Sequence, residues 1–176
     1  MNKSNNYERV TDKDKIDELI AMIGPVVCKP NHFSSPWLQQ KQWIVTPVAD
    51  TINPMDAEWI TTASSALGVT IGYGISLDSD MDVEIYKVPL NQDALLDFSA
   101  DVSLLNFVLV PSDLSFAILL EAGNYILIAG NKQFVRTAIG CSFSTATTMF
   151  LDYATDSIWP EPTAKLLKEV AEKYIL

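Results

Sequence analysis

Few side chains in this sequence are of the types that carry chemistry, and their spacing decides most of what they can do. His32 is the only histidine. A hydrolytic triad needs a histidine held between two partners, and HExxH or multi-histidine metal centres need more than one, so the chain cannot supply such a zinc site by itself. Cys28 stands four residues before His32, which leaves a cysteine nucleophile activated by that imidazole as the one enzymatic alternative. The surrounding Pro25, Pro30 and Pro36 do not set the pair on one helical face. Cys28 and Cys141 show no CxxC spacing, which reads as two buried thiols in a reducing compartment rather than a metal site. Gly68, Gly72 and Gly74 fall in a strand pattern with no GK[ST] after them, so they read as a bulge or a close backbone approach, not a phosphate loop. No catalytic residue, metal ligand set or cofactor site is therefore expected.

The sharpest local feature is the acidic run Asp78, Ser79, Asp80, Met81, Asp82, Val83, Glu84. It opens like a calcium loop, but Val83 occupies the sixth position, where glycine is needed, and Pro89 the twelfth, where a bidentate glutamate belongs. An EF-hand is excluded. As a turn leading into a strand, the run puts Asp82, Glu84 and Tyr86 on one face and Val83 and Ile85 on the other, the first for water and the second for the core. Carboxylates about 7 Å apart on that face repel by roughly 0.6 kcal/mol in water, a cost tolerable only if the row stays exposed. Three readings follow: an edge kept apart from other strands by charge, a docking surface for a cationic partner, or a metal site of another kind. The docking reading uses Asp78, Asp80, Asp82, Glu84 and Tyr86 as partner-binding residues.

The wider charge distribution favours docking. The formal net charge is -10, and residues 42 to 131 hold twelve acids against the single Lys87, so that stretch carries -11 while the remainder is nearly neutral. Such a field repels nucleic acid and anionic membranes and speeds encounter with a basic protein. The polar stretch after Met1 lacks the apolar core of a secretory signal, and no apolar run approaches the ~20 residues of a membrane span, so a cytoplasmic protein is expected.

The elements that must position these residues can be read from periodicity. Ile16, Leu19, Ile20 and Ile23 predict a helix over 12–23, with 1–11 as a flexible lead-in. Residues 25–50, rich in proline, predict irregular chain with a short strand over 43–46. Asn53 followed by Pro54 predicts a helix N-cap and first turn, with the helix ending at Gly68. Strands are expected over 69–77, 83–88 and 104–110, a short helix over 92–98, and a hairpin of 115–120 with 125–129. Helices follow over 132–139, 144–154 and 162–174, the first two separated by Gly140 as a C-cap. The four tryptophans Trp37, Trp43, Trp59 and Trp159 read as core or core-edge, and the stripe Phe143, Ala146, Met149, Phe150 and Tyr153 as core. The sum is a single α+β domain with a mostly antiparallel central sheet, covered on one face by N- and C-terminal helices.

The stretch from Val110 to Ala154 resembles the C-terminal half of small bacterial proteins grouped with the toxin immunity proteins of polymorphic and contact-dependent growth inhibition systems. The residues that carry the likeness are Pro111, Asp113, Leu114, Ser115, the Tyr125 to Gly130 strand and turn, Phe134, Gly140 and Phe150. They cover about a quarter of the chain and are structural positions. The resemblance implies a cytosolic, non-enzymatic protein without cofactors that binds a cognate toxin domain, often a basic nuclease, and occludes its cationic surface. The alternative is an interaction or adaptor module of the bacterial cytosol without a toxin partner. If the acidic run docks that partner, reversing Asp80, Asp82 and Glu84 to lysine leaves folding intact and abolishes binding. An unchanged binding isotherm would remove the run from the interface.

Overall fold

Three neighbouring strand sequences, FVLV, FAILLE and YILIAG, are buried at every position, which dictates that both faces of the sheet they form be covered. The computed structural model describes residues 6–29, 32–78 and 83–175. In chain order the elements are β1 (Glu8–Arg9), α1 (Lys13–Ile23), β2 (Val27–Lys29), β3 (His32–Phe33), α2 (Ser35–Lys41), β4 (Ile44–Ala49), α3 (Pro54–Ala66), β5 (Ile71–Ser76), β6 (Ile85–Pro89), α4 (Gln92–Asp101), β7 (Phe107–Val110), β8 (Phe116–Glu121), β9 (Tyr125–Gly130), α5 (Lys132–Ala138), α6 (Phe143–Ala154) and α7 (Glu161–Tyr174). Seven strands form one sheet in the order β1-β6-β5-β7-β8-β9-β4, and β2 pairs with β3 separately. Every pairing in the seven-stranded sheet is antiparallel, as the sequence led us to expect of an α+β fold.

The expectation of cover on one face is corrected. Period-2 alternation sends Phe116, Ile118, Leu120, Ile126 and Ile128 into one core with α3, α4 and α5. Ala117, Leu119, Tyr125, Leu127 and Ala129 enter a second core with α1, α2, α6 and α7. The terminal helices thus cover one face and the middle helices the other. Phe116 and Phe134 stack with centroids 4.3 Å apart, tying β8 to α5.

Local chemistry starts the helices where the sequence placed them. Asp12 accepts from the Lys15 N–H to cap α1, and Asn91, Asn131 and Ser142 cap α4, α5 and α6 in the same way. Each such cap stabilises its helix by about 1 kcal/mol. At α3, Asn53 accepts from the Met55 and Asp56 N–H groups while its own N–H donates to Asp56, a reciprocal capping box followed by Pro54 in the first turn.

The region expected to be irregular is more ordered than its prolines imply. β2 and β3 pair antiparallel with an irregular register, Pro36 sits in the first turn of α2, and β4 runs through Pro47 for six residues. Pro47 is tolerated because β4 is an edge. Asp50 N–H donates to the Asn124 carbonyl, so the even-numbered residues of β4 bond to β9, and Pro47 turns its missing donor outward. At the opposite edge, the two residues of β1 lie where the sequence reading has a flexible lead-in. Glu8 pairs with Lys87 at 2.9 Å and Arg9 with Glu84 at 3.2 Å, and Tyr7 packs on the first core.

The glycines of β5 mark a close approach, as expected. A Cβ on Gly72 would lie 2.8 Å from Leu109 Cδ1, and one on Gly74 would overlap the Phe98 ring. Phe98 is fully buried and cannot swing into solvent. Gly74→Ala therefore overpacks the first core and should destabilise the protein by about 1–3 kcal/mol. Urea unfolding checks this, with a lowered midpoint at unchanged slope expected.

Candidate functional site

Of the acidic run, Asp80 and Asp82 lie outside the described residues. Asp78 turns to its own scaffold, where the Asn106 N–H and Nδ2 donate to its two oxygens at 3.0 and 2.7 Å. Glu84 is engaged twice, by Arg9 and by the Tyr86 hydroxyl, which donates to it at 3.1 Å. Tyr86 itself is half-buried, edge-on to Tyr7 with centroids 5.3 Å apart and facing Phe98 and Phe107. Burial first, and the Glu84 carboxylate second, push its hydroxyl above the ordinary tyrosine range. Glu84 and Tyr86 do share a side of the chain, but that side carries a helix and an aromatic cluster rather than water. The expected partition is corrected at Val83 as well, which is 42% exposed instead of facing the core with Ile85. β6 begins only at Ile85, so strand alternation does not reach Val83.

Other acids of the middle region are also fixed by neutral donors. Asp113 holds a turn by accepting from the Ser115 N–H, and Glu121 accepts from Asn124 Nδ2 at the hairpin. Neutral donors leave the charge in place, so the negative field survives while the carboxylates do structural work. Burial drives the Glu121 carboxyl above its usual range, against the lowering effect of Asn124.

The pair proposed for cysteine chemistry falls on the two paired strands β2 and β3, and Cys28, expected to be buried, is exposed. Cys28 Sγ makes a long contact, 3.9 Å, to the Phe33 carbonyl, and Phe33 N–H donates to the Tyr174 hydroxyl at 3.1 Å. His32 stands beside the Tyr174 ring, centroids 6.3 Å apart. Burial pushes the Tyr174 hydroxyl up to about 12, so it is neutral and serves as a structural acceptor joining β3 to α7. Among the described residues, no group of three or more His, Cys, Asp or Glu is placed to hold a metal ion, and no helix is long and apolar enough to cross a membrane.

A cleft that sequence reasoning missed lies past the outer edge of β4, where the helices of the two faces converge. Its walls are Pro47, Val48 and Ala49 of β4, Met55 and Trp59 of α3, Ile139 and Cys141 of the α5–α6 turn, and Ala146, Met149 and Phe150 of α6, with Asn53 and Asp56 at the start of α3. The space is about 240 Å³, below the roughly 300–1,000 Å³ of small-molecule and cofactor sites. Met55 and Met149 are 59% and 62% exposed. Met149 is thus corrected from core to rim, although its stripe neighbours Ala146 and Phe150 are buried. Trp59 is held by Gly140, whose φ of +64° fits a helix terminus and whose missing Cβ leaves room for the indole ring. These walls come from three separate stretches of chain, so no local period announces the cleft. The available signals were only that Asn53 and Pro54 begin a helix and that methionines lie beside them and on the α6 stripe.

Asp56 is the electrostatic centre of the cleft. It is 5% exposed, and its Oδ2 takes the Asn53 N–H. Burial raises its carboxyl above the ordinary range, the Asn53 bond opposes this, and the nearby Asp50 charge adds to it. The chain matches no family model, no curated protein and no solved structure.

Because the folded Asp56 holds its proton to higher pH than the unfolded chain, its contribution is fully present below the ordinary carboxylate range. It is lost as pH rises through the raised value. Asp56→Asn keeps an oxygen for the Asn53 N–H and removes the charge. The variant should gain stability relative to the parent as pH rises from the ordinary carboxylate range through the raised value of Asp56, seen as a widening gap in urea midpoints. A gap that stays constant would show that the charge is not destabilised by the fold.

Proposed function

We propose that the protein neutralises a basic bacterial toxin domain by binding it in the cytoplasm, as the immunity proteins it resembles do. The observation that carries this reading is an apolar opening rimmed by two exposed methionines, with the walls from Pro47 to Trp59 belonging to the stretch of chain that bears a charge of -11. Each part does a separate job. The field raises the encounter rate with a cationic surface and selects against acidic partners. The cleft supplies the desolvated contact that slows dissociation, since affinity resides in a few buried anchors rather than in surface charge. Flexible methionines at the rim suit a surface that must close around a partner's side chains.

Occlusion follows from this division. A nuclease must expose a basic surface to meet phosphates, and an acidic protein seated on that surface, or beside it, denies access without any chemistry of its own. The carboxylates held by neutral donors, at Asp78, Asp113 and Glu121, keep the field fixed in direction without added ordering on binding.

The test is co-expression with the toxin domain encoded beside this gene. The expected results are restored growth, a complex that survives gel filtration, and an association rate that falls as salt rises while dissociation changes little. Absence of protection together with absence of a complex would overturn the reading, and a stable complex with a non-toxic partner would replace it with an adaptor role.

A further inference from the structure

Asp56 is nine-tenths buried yet lies on the wall of an open cleft. One carboxylate oxygen, Oδ2, accepts from the Asn53 N–H at 3.1 Å. Around it, the walls are carbon and sulfur, from Trp59, Met55, Met149 and Phe150. A largely desolvated carboxylate in apolar surroundings is costly, and the cost is relieved when a cation with its own donors arrives. The nearby Asp50 charge adds to the attraction.

We propose that this cleft is the seat for one arginine or lysine side chain of the protein partner, its charged head on Asp56 and its aliphatic stem between Trp59, Met55 and Met149. The volume of about 240 Å³ admits a single long side chain and not a cofactor. Arginine and lysine match both halves of the site, because their methylene stems pack on apolar surface while the head stays with a carboxylate. The half-buried indole of Trp59 on the cleft wall offers a second, cation–π, contact. An arginine anchored in a desolvated pocket is a common centre of interface energy. The proposal deepens the toxin-binding reading and rests on it for the source of that side chain, but the site's chemistry can be tested apart from it.

The probe is N-acetyl-arginine methylamide, compared with its uncharged citrulline analogue, titrated into the full-length protein and followed by the amide and Trp59 indole N–H signals in two-dimensional NMR. Saturable shifts confined to Trp59, Asp56 and Cys141 are expected for the arginine compound, at least tenfold weaker for the citrulline compound. Asp56→Asn, and separately the exposed substitution Met149→Lys, should each weaken arginine binding at least tenfold while the rest of the spectrum stays in place. The two variants differ in folding risk, so loss in both with a native spectrum reports on the site. No saturable response at the cleft, equal response to both compounds, or full binding by Asp56→Asn would overturn the proposal. Toxin protection with a silent cleft would overturn this site alone, and a responsive cleft without protection would overturn the toxin reading alone.

Discussion

The burial of β7, β8 and β9 on both faces is the constraint from which the rest of the architecture follows. A strand with apolar residues on alternate sides cannot leave either side in water, so the sheet demands two helical layers. One layer is drawn from the middle of the chain and one from its two ends. The two edges of the sheet are each blunted by their own device. β1 is two residues long and paired through charges, and β4 carries a proline on its outer side. The cleft is a product of the same arrangement, for α3 of one layer and α6 of the other both line it beside the β4 edge.

Asp56 shows how one residue can serve stability and exposure at once. Its backbone N–H and one side-chain oxygen complete the capping box that begins α3, which fixes the carboxylate in position. The same position is desolvated by Trp59 and its neighbours, so the cap retains a charge that the fold does not fully compensate. A fixed, under-compensated charge is a pre-organised attractor, because nothing has to be ordered or unpaired when a cation reaches it. Gly140 belongs to this arrangement although it touches no ligand. Without the room it leaves, the indole of Trp59 would be displaced from the wall.

Much of the fold was legible because local chemistry and tertiary structure agree. Asn53 with Pro54, the Glu121 to Asn124 turn, and the stop at Gly140 each specify a boundary through a side-chain acceptor or a positive φ. The unbroken apolar runs 107–110, 116–121 and 125–130 also carried the signature of a sheet covered twice, since a one-sided sheet would show polar alternation. Read only as strands, they conceal the second layer. Residues 25–50 misled for a different reason: proline signals disorder in the middle of a sheet but is harmless at an edge or in a first helical turn, and only pairing partners reveal which applies. The acidic run was legible as charge and not as geometry. Whether Asp78 faces water or Asn106, and whether Glu84 meets Arg9, depends on residues far away in the chain.

The pairing of β4 with β9 has a consequence for how the molecule comes into being. Ile44 finds its partner Gly130 only after β5 through β9 have been made, and Phe33 finds Tyr174 only when α7 is complete. On a ribosome delivering residues in order, the cover that α6 and α7 give to β8 and β9 would arrive only near the end of synthesis. The early segment α1 to β4 would wait through most of translation without its principal contacts. Such a chain completes its second core late, which places the window for aggregation or chaperone capture before the end of synthesis rather than after it.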